Sequence, residues 1–180
     1  TTNQNQGITL KNQQKLHGEG VDLVVDPDDG GALPPVTLFT ASGNEPQITN
    51  TTGNAVTVLA NTANGDRINI EIVGLSLSST GAGANAVDVT SANAANLGVI
   101  IRDNFVTGAP VEGIDVTHGS TGTAMLAFHD NVLTATGTAA DIERGVGAGG
   151  LTITAFHDNQ VTGASAGGGL AVRGTGGVVT

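Results

Sequence analysis

The feature of this sequence that most constrains its fold is a short motif that occurs three times at nearly constant spacing. The motif reads Asp-Asn-x-[Val or Leu]-Thr and occupies Asp103–Thr107, Asp130–Thr134 and Asp158–Thr162. A step of 27 residues leads from Asn104 to Asn131, and a step of 28 residues leads from Asn131 to Asn159. A fixed period of roughly 20–50 residues is the signature of a solenoid, in which successive repeats stack on one another.

The residues around the motif predict strands. The chain contains 28 Gly, four Phe and neither Trp nor Tyr, while Val, Ile and Leu recur in short runs between Gly-rich turns. Within a run they alternate with polar residues, as at Ile68, Ile70 and Ile72. Alternation with β-branched residues is typical of a strand that buries one face. The chain is therefore predicted to be all-β.

A second series of strands lies between the copies of the motif. Its leading apolar residues follow one another after 27, 28 and 28 residues and are Val87, Ile114, Ile142 and Leu170. Each period then holds about two or three short strands, which is too few for a propeller blade and fits one rung of a parallel β-helix. Counting the looser spacing upstream, we predict a parallel β-helix of about six rungs.

The domain organisation follows from this spacing. We predict one domain over residues 1–180, with irregular early rungs and longer loops over 1–66 and regular rungs over 67–180. The segment Gly176–Thr180 matches the opening of a further rung, so the chain is expected to end inside a rung. An open rung presents unpaired strand edges, which a longer polypeptide or another molecule would cover.

The charge balance disfavours two kinds of partner. Six Lys and Arg against sixteen Asp and Glu give a net charge of −10, which disfavours nucleic acid and anionic membrane surfaces. No apolar run approaches the ~18 residues of a membrane-spanning helix, so no membrane insertion is expected. The chain has no Cys, so neither disulfides nor thiolate metal sites are available.

The repeated corner and the strand pattern Gly-[Ile or Leu]-x-Val, at Gly113–Val116 and Gly169–Val172, carry a family resemblance. They resemble the right-handed parallel β-helix repeat family of the pectate-lyase-like superfamily. The segment Gly7–Val25 is similar to the opening rung of large secreted bacterial proteins of this kind. The resemblance implies a right-handed β-helix at an extracellular or cell-surface location. It implies no single activity, because enzymes, phage tailspikes and adhesins share this scaffold.

Three acids form the strongest candidate site. Asp88, Asp115 and Glu143 each follow a leading apolar residue, so alternation places them in one outward column that ends at Ala171. Like charges on neighbouring rungs repel, and a bound cation would relieve that cost. The alternative is that solvent and salt screen them. We predict Asp88, Asp115 and Glu143 as calcium ligands, with no required cofactor and no catalytic residue.

The resemblance adds an enzymatic alternative for the same acids. In polysaccharide lyases and galacturonases of the superfamily, outward acids of this kind bind calcium or act as acid and base beside a basic residue. Arg144 and Arg173 are the nearby basic residues, although alternation assigns Arg144 to the inward face. An enzyme should also use the loops of residues 26–48 and 59–67 to wall a cleft beside the acids.

The corner itself is predicted to be structural. Asn104, Asn131 and Asn159 should stack as a hydrogen-bonded ladder and tolerate the turn conformation. Two His and three Asp accompany this ladder and could bind a divalent metal, but copies of one turn, with Asp capping N–H groups, explain them more simply. Ile101, Phe128 and Phe156 are expected to point inward, and His17 and His118 to be exposed. Asp26, Asp28 and Asp29 match a calcium loop only loosely.

We therefore favour a non-enzymatic, structural or adhesin-like segment of a bacterial surface or secreted protein, which presents or spaces a binding surface. Its partners would be host or matrix carbohydrate or protein, or further copies of the chain at open β-helix ends. The lack of Trp and Tyr, on which sugar rings commonly stack, supports this preference over an enzyme. The alternative is a calcium-dependent polysaccharide lyase or a glycoside hydrolase that uses Asp88, Asp115 and Glu143.

Overall fold

A computed structural model of the chain describes residues 6–25, 34–134, 136–162 and 168–175. These residues form eighteen strands and no α-helix. In chain order the strands are β1 (Ile8–Leu10), β2 (Lys15–His17), β3 (Leu23–Val25), β4 (Val36–Phe39), β5 (Gln47–Asn50), β6 (Val56–Ala60), β7 (Arg67–Val73), β8 (Ser76–Ser79), β9 (Val87–Ser91), β10 (Leu97–Arg102), β11 (Phe105–Thr107), β12 (Glu112–His118), β13 (Ala124–His129), β14 (Val132–Thr134), β15 (Thr138–Arg144), β16 (Leu151–His157), β17 (Gln160–Val161) and β18 (Leu170–Gly174).

Fourteen pairs of hydrogen-bonded strands define three parallel sheets and one hairpin, which confirms the predicted fold class of an all-β parallel solenoid. The first sheet has the order β1-β6-β9-β12-β15-β18, the second β16-β13-β10-β7-β2, and the third β17-β14-β11-β8-β5. Each turn of the chain adds one strand to each sheet. The antiparallel hairpin β3–β4 is an insertion between β2 and β5.

The solenoid has about four turns, so the predicted count of about six rungs was wrong. Four passages run without interruption through all three sheets, and they begin at β6, β9, β12 and β15. The hairpin interrupts the passage that begins at β1. The further rung predicted at Gly176–Thr180 lies outside the described residues. The sequence count was too high because it treated each strand of the first sheet as a complete rung.

Alternating side chains fill the interior between the three sheets. Ile101 and Phe128 are completely buried, as predicted, and so are Val106 and Leu133 on the third sheet. Phe156 pairs with Phe128 and stacks on it, in agreement with the inward prediction, but 42% of this residue is exposed. Its strand β16 is the edge of the second sheet, so the ring covers Phe128 from one side, with the ring centroids 5.7 Å apart.

The predicted asparagine ladder is confirmed. Asn104 and Asn131 are buried, and the amide of Asn104 donates to the Oδ1 atom of Asn131 at 3.2 Å. The amide of Asn131 donates in turn to Oδ1 of Asn159 at 3.0 Å. Each amide also donates to a backbone carbonyl, which for Asn104 is that of Ile72 at 2.8 Å. The ladder therefore satisfies backbone groups that the turn from the second to the third sheet leaves unpaired.

The left-handed conformation of this turn falls on the aspartates and not on the asparagines, contrary to the prediction. Asp103, Asp130 and Asp158 have φ angles of 55°, 57° and 53°, and Gly74 occupies the equivalent place one turn earlier with φ 67°. Asp and Gly both tolerate this region. Among the described residues, the three carboxylates pair with the side chain of the preceding residue and not with turn N–H groups.

Candidate functional site

The outward acids of the first sheet are in a different register from the predicted one. Asp115 pairs with Asp88 on one side and with Asp141 on the other, whereas Glu143 pairs with Thr117. The acid column therefore consists of Asp88, Asp115 and Asp141, and the inclusion of Glu143 in it was wrong. Glu143 lies two residues further along on the same face. As predicted, the column ends at Ala171.

The members of the acid column differ in their partners. Asp88 accepts hydrogen bonds from the Asn54 amide at 2.7 Å and from the Thr90 hydroxyl at 2.8 Å. Asp141 is 4% exposed and pairs with both Nε and Nη2 of Arg173. Asp115, between them, accepts one bond from the Thr117 hydroxyl at 3.1 Å. The central carboxylate is thus the least compensated of the three.

This arrangement perturbs the acidity of the central carboxyl group. Burial raises the pKa of Asp115 to about 6, and the nearby charges of Glu112, Asp88 and Glu143 add to this effect against the hydrogen bond from Thr117. The pKa of Glu112 is raised as well, first by burial and then by Asp88 and Glu143, against the opposing charge of Arg173. A carboxyl group that titrates near neutral pH is suited to proton transfer or to binding a cation.

Replacing Asp115 by Asn should stabilise the fold at pH 7.5. The pKa of Asp115 in the folded chain lies above its ordinary value of 3.8, so this group's contribution to stability is full below pH 3.8 and is lost as pH rises through about 6. After allowance for solvent screening, the charge costs about 1 kcal/mol at neutral pH, or about 2–4 °C in Tm. Thermal unfolding in calcium-free buffer should show the gain at pH 7.5 and little of it at pH 4.

The control for this prediction is Asp88→Asn. Asp88 already has two donors, so removing its charge relieves only its share of the repulsion at Asp115 and should raise the Tm by much less than Asp115→Asn does. A lower Tm of Asp115→Asn at pH 7.5 would contradict the prediction, because it would mean that the charged carboxylate is favoured in the fold.

The two basic residues near the acids have opposite orientations. Arg144 is 7% exposed and faces the interior, as alternation predicted, where it donates to the backbone carbonyls of Ala148 and Gly149. Arg173 lies on the outer face opposite Glu143 and reaches diagonally to Asp141. Arg173 is therefore the basic residue that accompanies the acid column.

The two loops that an enzyme would need beside the acids make their described contacts elsewhere. The hairpin β3–β4 lies over the second sheet, where it borders a cavity together with Lys15, His17 and Glu71. In the turn before β7, Asp66 accepts a hydrogen bond from the backbone N–H of Asn96 at 2.7 Å, just before β10. These contacts place the described parts of both loops along the second sheet, away from the outer face of the first.

A second charged surface lies where the second sheet meets the corner. Arg102, His129 and His157 occupy one column of this sheet, and each pairs with the aspartate that follows it. The rings of His129 and His157 are stacked, with centroids 4.7 Å apart and an interplanar angle of 21°. We call these two residues the histidine pair.

The two remaining histidines are not simply exposed, contrary to prediction. His118 is fully buried, its Nδ1 atom lies 2.6 Å from the Ser91 hydroxyl, and burial lowers its pKa. His17 is half-buried and contacts the carboxylate of Glu71 at 2.8 Å. Burial favours the neutral form of Glu71, but hydrogen bonds from Lys15 and His17 outweigh it and lower the pKa of Glu71. The loosely matched calcium loop at Asp26, Asp28 and Asp29 lies outside the described residues.

Sequence reasoning missed a groove on the outer face of the second sheet. We call it the apolar groove; its volume is about 400 Å³, and its lining includes Ile68, Gly98, Ile100, Met125, Ala127 and Thr154. Met125 is 55% and Ile68 is 36% exposed. An available signal was the position of Ile100, Met125 and Ala127 on two consecutive strands, which alternation assigns to solvent. Ile68, expected on the buried face with Ile70 and Ile72, is turned outward by the bulge at Asn69.

β-bulges flank the apolar groove on two sides. On β7, an extra residue disturbs the pairing with β10, and Asn69 adopts a left-handed conformation with φ 55°. On β16, an extra residue disturbs the pairing with β13 beside Thr154, whose hydroxyl donates to the carbonyl of Leu126. Bulges bend a strand and redirect its side chains, and they occur often beside functional sites.

Comparisons with protein-family models, with curated proteins and with solved structures found no match. The fold is established by the strand pairing alone. Among the residues that the structure describes, no helix has the length and hydropathy that crossing a membrane would require.

Proposed function

We propose that this chain is a non-enzymatic, extracellular β-solenoid segment of a bacterial surface or secreted protein, which presents the apolar groove as a binding surface. Matrix or host carbohydrate or protein would be its partner. The observation that carries the proposal is the groove itself, an exposed apolar surface between two bulges on a solenoid whose net charge is −10.

The exposed side chains of the groove are not needed for the core. Ile100 and Met125 point away from the interior, while Val99, Ile101 and Leu126 fill it. Covering an exposed apolar side chain contributes roughly 1.5–3 kcal/mol, so a partner that covers the groove gains most of its affinity there. Gly98 lacks a side chain and lowers the floor between Ile68 and Met125. Exposed apolar patches of this kind often mark interaction surfaces.

The pairing of charges supports a structural role for the remaining surface. Most of the charged side chains described on the outer faces have a partner within their own sheet or on the next residue, as do Arg102, His129 and Arg173. The described parts of the loops that could wall a cleft beside the acid column contact the second sheet instead. We further propose membership of the pectate-lyase-like superfamily, on the strength of the parallel solenoid and its asparagine corner.

The test is binding to immobilised matrix polysaccharides and matrix proteins, and to the chain itself, with and without calcium. We expect retention of the chain by at least one carbohydrate or protein and no shortening of any polysaccharide. Met125→Glu should abolish retention, because it places a charge in the groove. Val146→Glu is the matched control, since Val146 is 84% exposed and does not line the groove. Equal retention of both variants would reject the groove as the binding surface.

A carbohydrate-active enzyme is the second candidate, and the acid column favours it. Asp115, with its pKa of about 6, lies between Asp88 and Asp141, and Arg173 is beside them. The same panel tests this candidate through the chain length of each polysaccharide. Shortening that disappears in Asp115→Asn would establish the enzyme and overturn the first proposal. A calcium-dependent rise in Tm without shortening would instead support the predicted calcium site.

A further inference from the structure

The geometry of the histidine pair points to a metal site that the fold does not require. We propose that His129 and His157 bind a divalent transition-metal ion of the Zn²⁺, Ni²⁺ or Cu²⁺ type through their Nε2 atoms, with Asp130 beside them orienting the ring of His129. One ligand atom from each of these residues lies within 4.8 Å of the others. Imidazole nitrogens are common ligands of zinc, and water can complete the coordination.

The repeat explains the aspartates of this corner but not its histidines. The turn needs a residue that tolerates positive φ, and Asp130 and Asp158 supply it. The residue before it is Val73 in one turn and Arg102 in the next, and both turns keep the same conformation. Imidazole is therefore not needed to build the corner. The two histidines occur on adjacent strands, where their side chains can share one ligand.

Hydrogen bonding prepares both rings for a metal. The Nδ1 atom of His129 lies 2.7 Å from the carboxylate of Asp130, and that of His157 lies 2.9 Å from the carboxylate of Asp158. An ionised carboxylate only accepts hydrogen bonds, so each Nδ1 carries the proton and each Nε2 keeps its lone pair. Among the described residues, neither Nε2 has a hydrogen-bond partner. Carboxylate-oriented imidazoles of this kind are typical of metal-binding histidines.

Access and local charge favour a cation at this position. The side chains are 20% exposed for His129, 41% for Asp130 and 54% for His157, so an ion can enter and bind water there. Asp103, Asp130 and Asp158 follow one another along the corner, and Arg102 is paired with Asp103. A bound ion would cross-link β13 and β16, which belong to consecutive turns of the solenoid.

Calorimetric titration of the chain with Zn²⁺ alone tests the site, in a preparation without an affinity-tag histidine sequence. We expect one Zn²⁺ per chain, and binding at least tenfold weaker in His129→Ala and in His157→Ala. Asp130→Asn should weaken binding while the turn is kept, because Asn tolerates the left-handed conformation. His17→Ala is the matched control, since His17 also contacts a carboxylate on the second sheet, and it should leave the affinity unchanged.

Thermal unfolding gives a second measurement on the same proteins. Zn²⁺ should raise the Tm of the original chain and of His17→Ala, and leave that of the doubly substituted chain with His129→Ala and His157→Ala unchanged. Binding of Zn²⁺ that persists in the doubly substituted chain with unchanged affinity would overturn the site, as would the absence of binding to the original chain. Equal loss of affinity in His17→Ala would overturn it as well.

Discussion

Asn131→Ala should lower the free energy of unfolding by about 3–4 kcal/mol, because it leaves several buried polar groups unpaired. The Asn131 amide donates to the carbonyls of Ile101 and His129 at 3.0 and 2.9 Å. Its Oδ1 atom accepts bonds from the backbone and side-chain nitrogens of Asn104, both at 3.2 Å. The residue is completely buried, so water cannot replace these partners.

Asn159→Ala is the matched control for this change. Asn159 makes the same kinds of bonds, to the carbonyls of Phe128 and His157, but it is half-buried on the edge turn of the ladder. Water can satisfy part of what its removal exposes, so the loss should be about 1–2 kcal/mol. Urea denaturation followed by circular dichroism measures both. Equal losses in the two variants would show that burial within the ladder does not determine its contribution.

The fold was predictable from the sequence because the same side chains recur at each corner. The hydrogen bonds of the buried ladder require Asn at each corner. The period is therefore marked without ambiguity by Asn104, Asn131 and Asn159. Inward columns gave a weaker signal. Phe156 has the same pattern as Phe128, yet it is exposed because β16 is an edge strand. Position in the stack, which the residue itself does not encode, decided its burial.

The error in the acid column has a specific cause. Sequence comparison aligned Ile142 with Ile114, since both are large apolar residues before an acid. In the structure Ala140 pairs with Ile114, and Ile142 pairs with Val116. The interior therefore accepts the small side chain of Ala140 opposite Ile114. The number of residues between equivalent positions changes on the first sheet, while the spacing between copies of the Asp-Asn motif stays nearly constant. A solenoid can vary its period on one sheet without varying it on the others, because each corner loop absorbs the difference.

Corrections of this kind change which chemistry the outer face offers. With Asp141 in the column, the weakly compensated Asp115 lies between two acids that have more partners. Arg173 neutralises Asp141 at the end of the column. Asp115 is the least compensated of the three acids, so its carboxyl group is the most sensitive probe of the outer face. Because Asp115→Asn should be more stable than the original chain at neutral pH, any loss of turnover in that variant could not be attributed to unfolding.

The second large loss of stability is expected at Gly149, in the loop from β15 to β16, because consecutive turns of the solenoid approach each other closely there. A Cβ atom there would lie 1.8 Å from the backbone oxygen of Gly122, which belongs to the preceding turn. The loop cannot easily move away, because Gly149 donates to the carbonyl of Ser120 at 2.7 Å and accepts from Nε of Arg144 at 2.7 Å. Gly149→Ala should therefore cost about 2–3 kcal/mol, the upper range for overpacking.

Gly150 provides the control, because Gly150→Ala makes the same chemical change at the next residue of the same loop. A Cβ atom on Gly150 would meet nothing within 4 Å, and its backbone does not adopt the left-handed conformation. Gly150→Ala should change the free energy of unfolding by less than about 0.5 kcal/mol. The two variants have identical unfolded-chain composition, so the difference between their unfolding midpoints measures the contact between turns directly. Equal midpoints would mean that the loop yields, and that the solenoid tolerates a wider spacing at this corner than its strand pairing indicates.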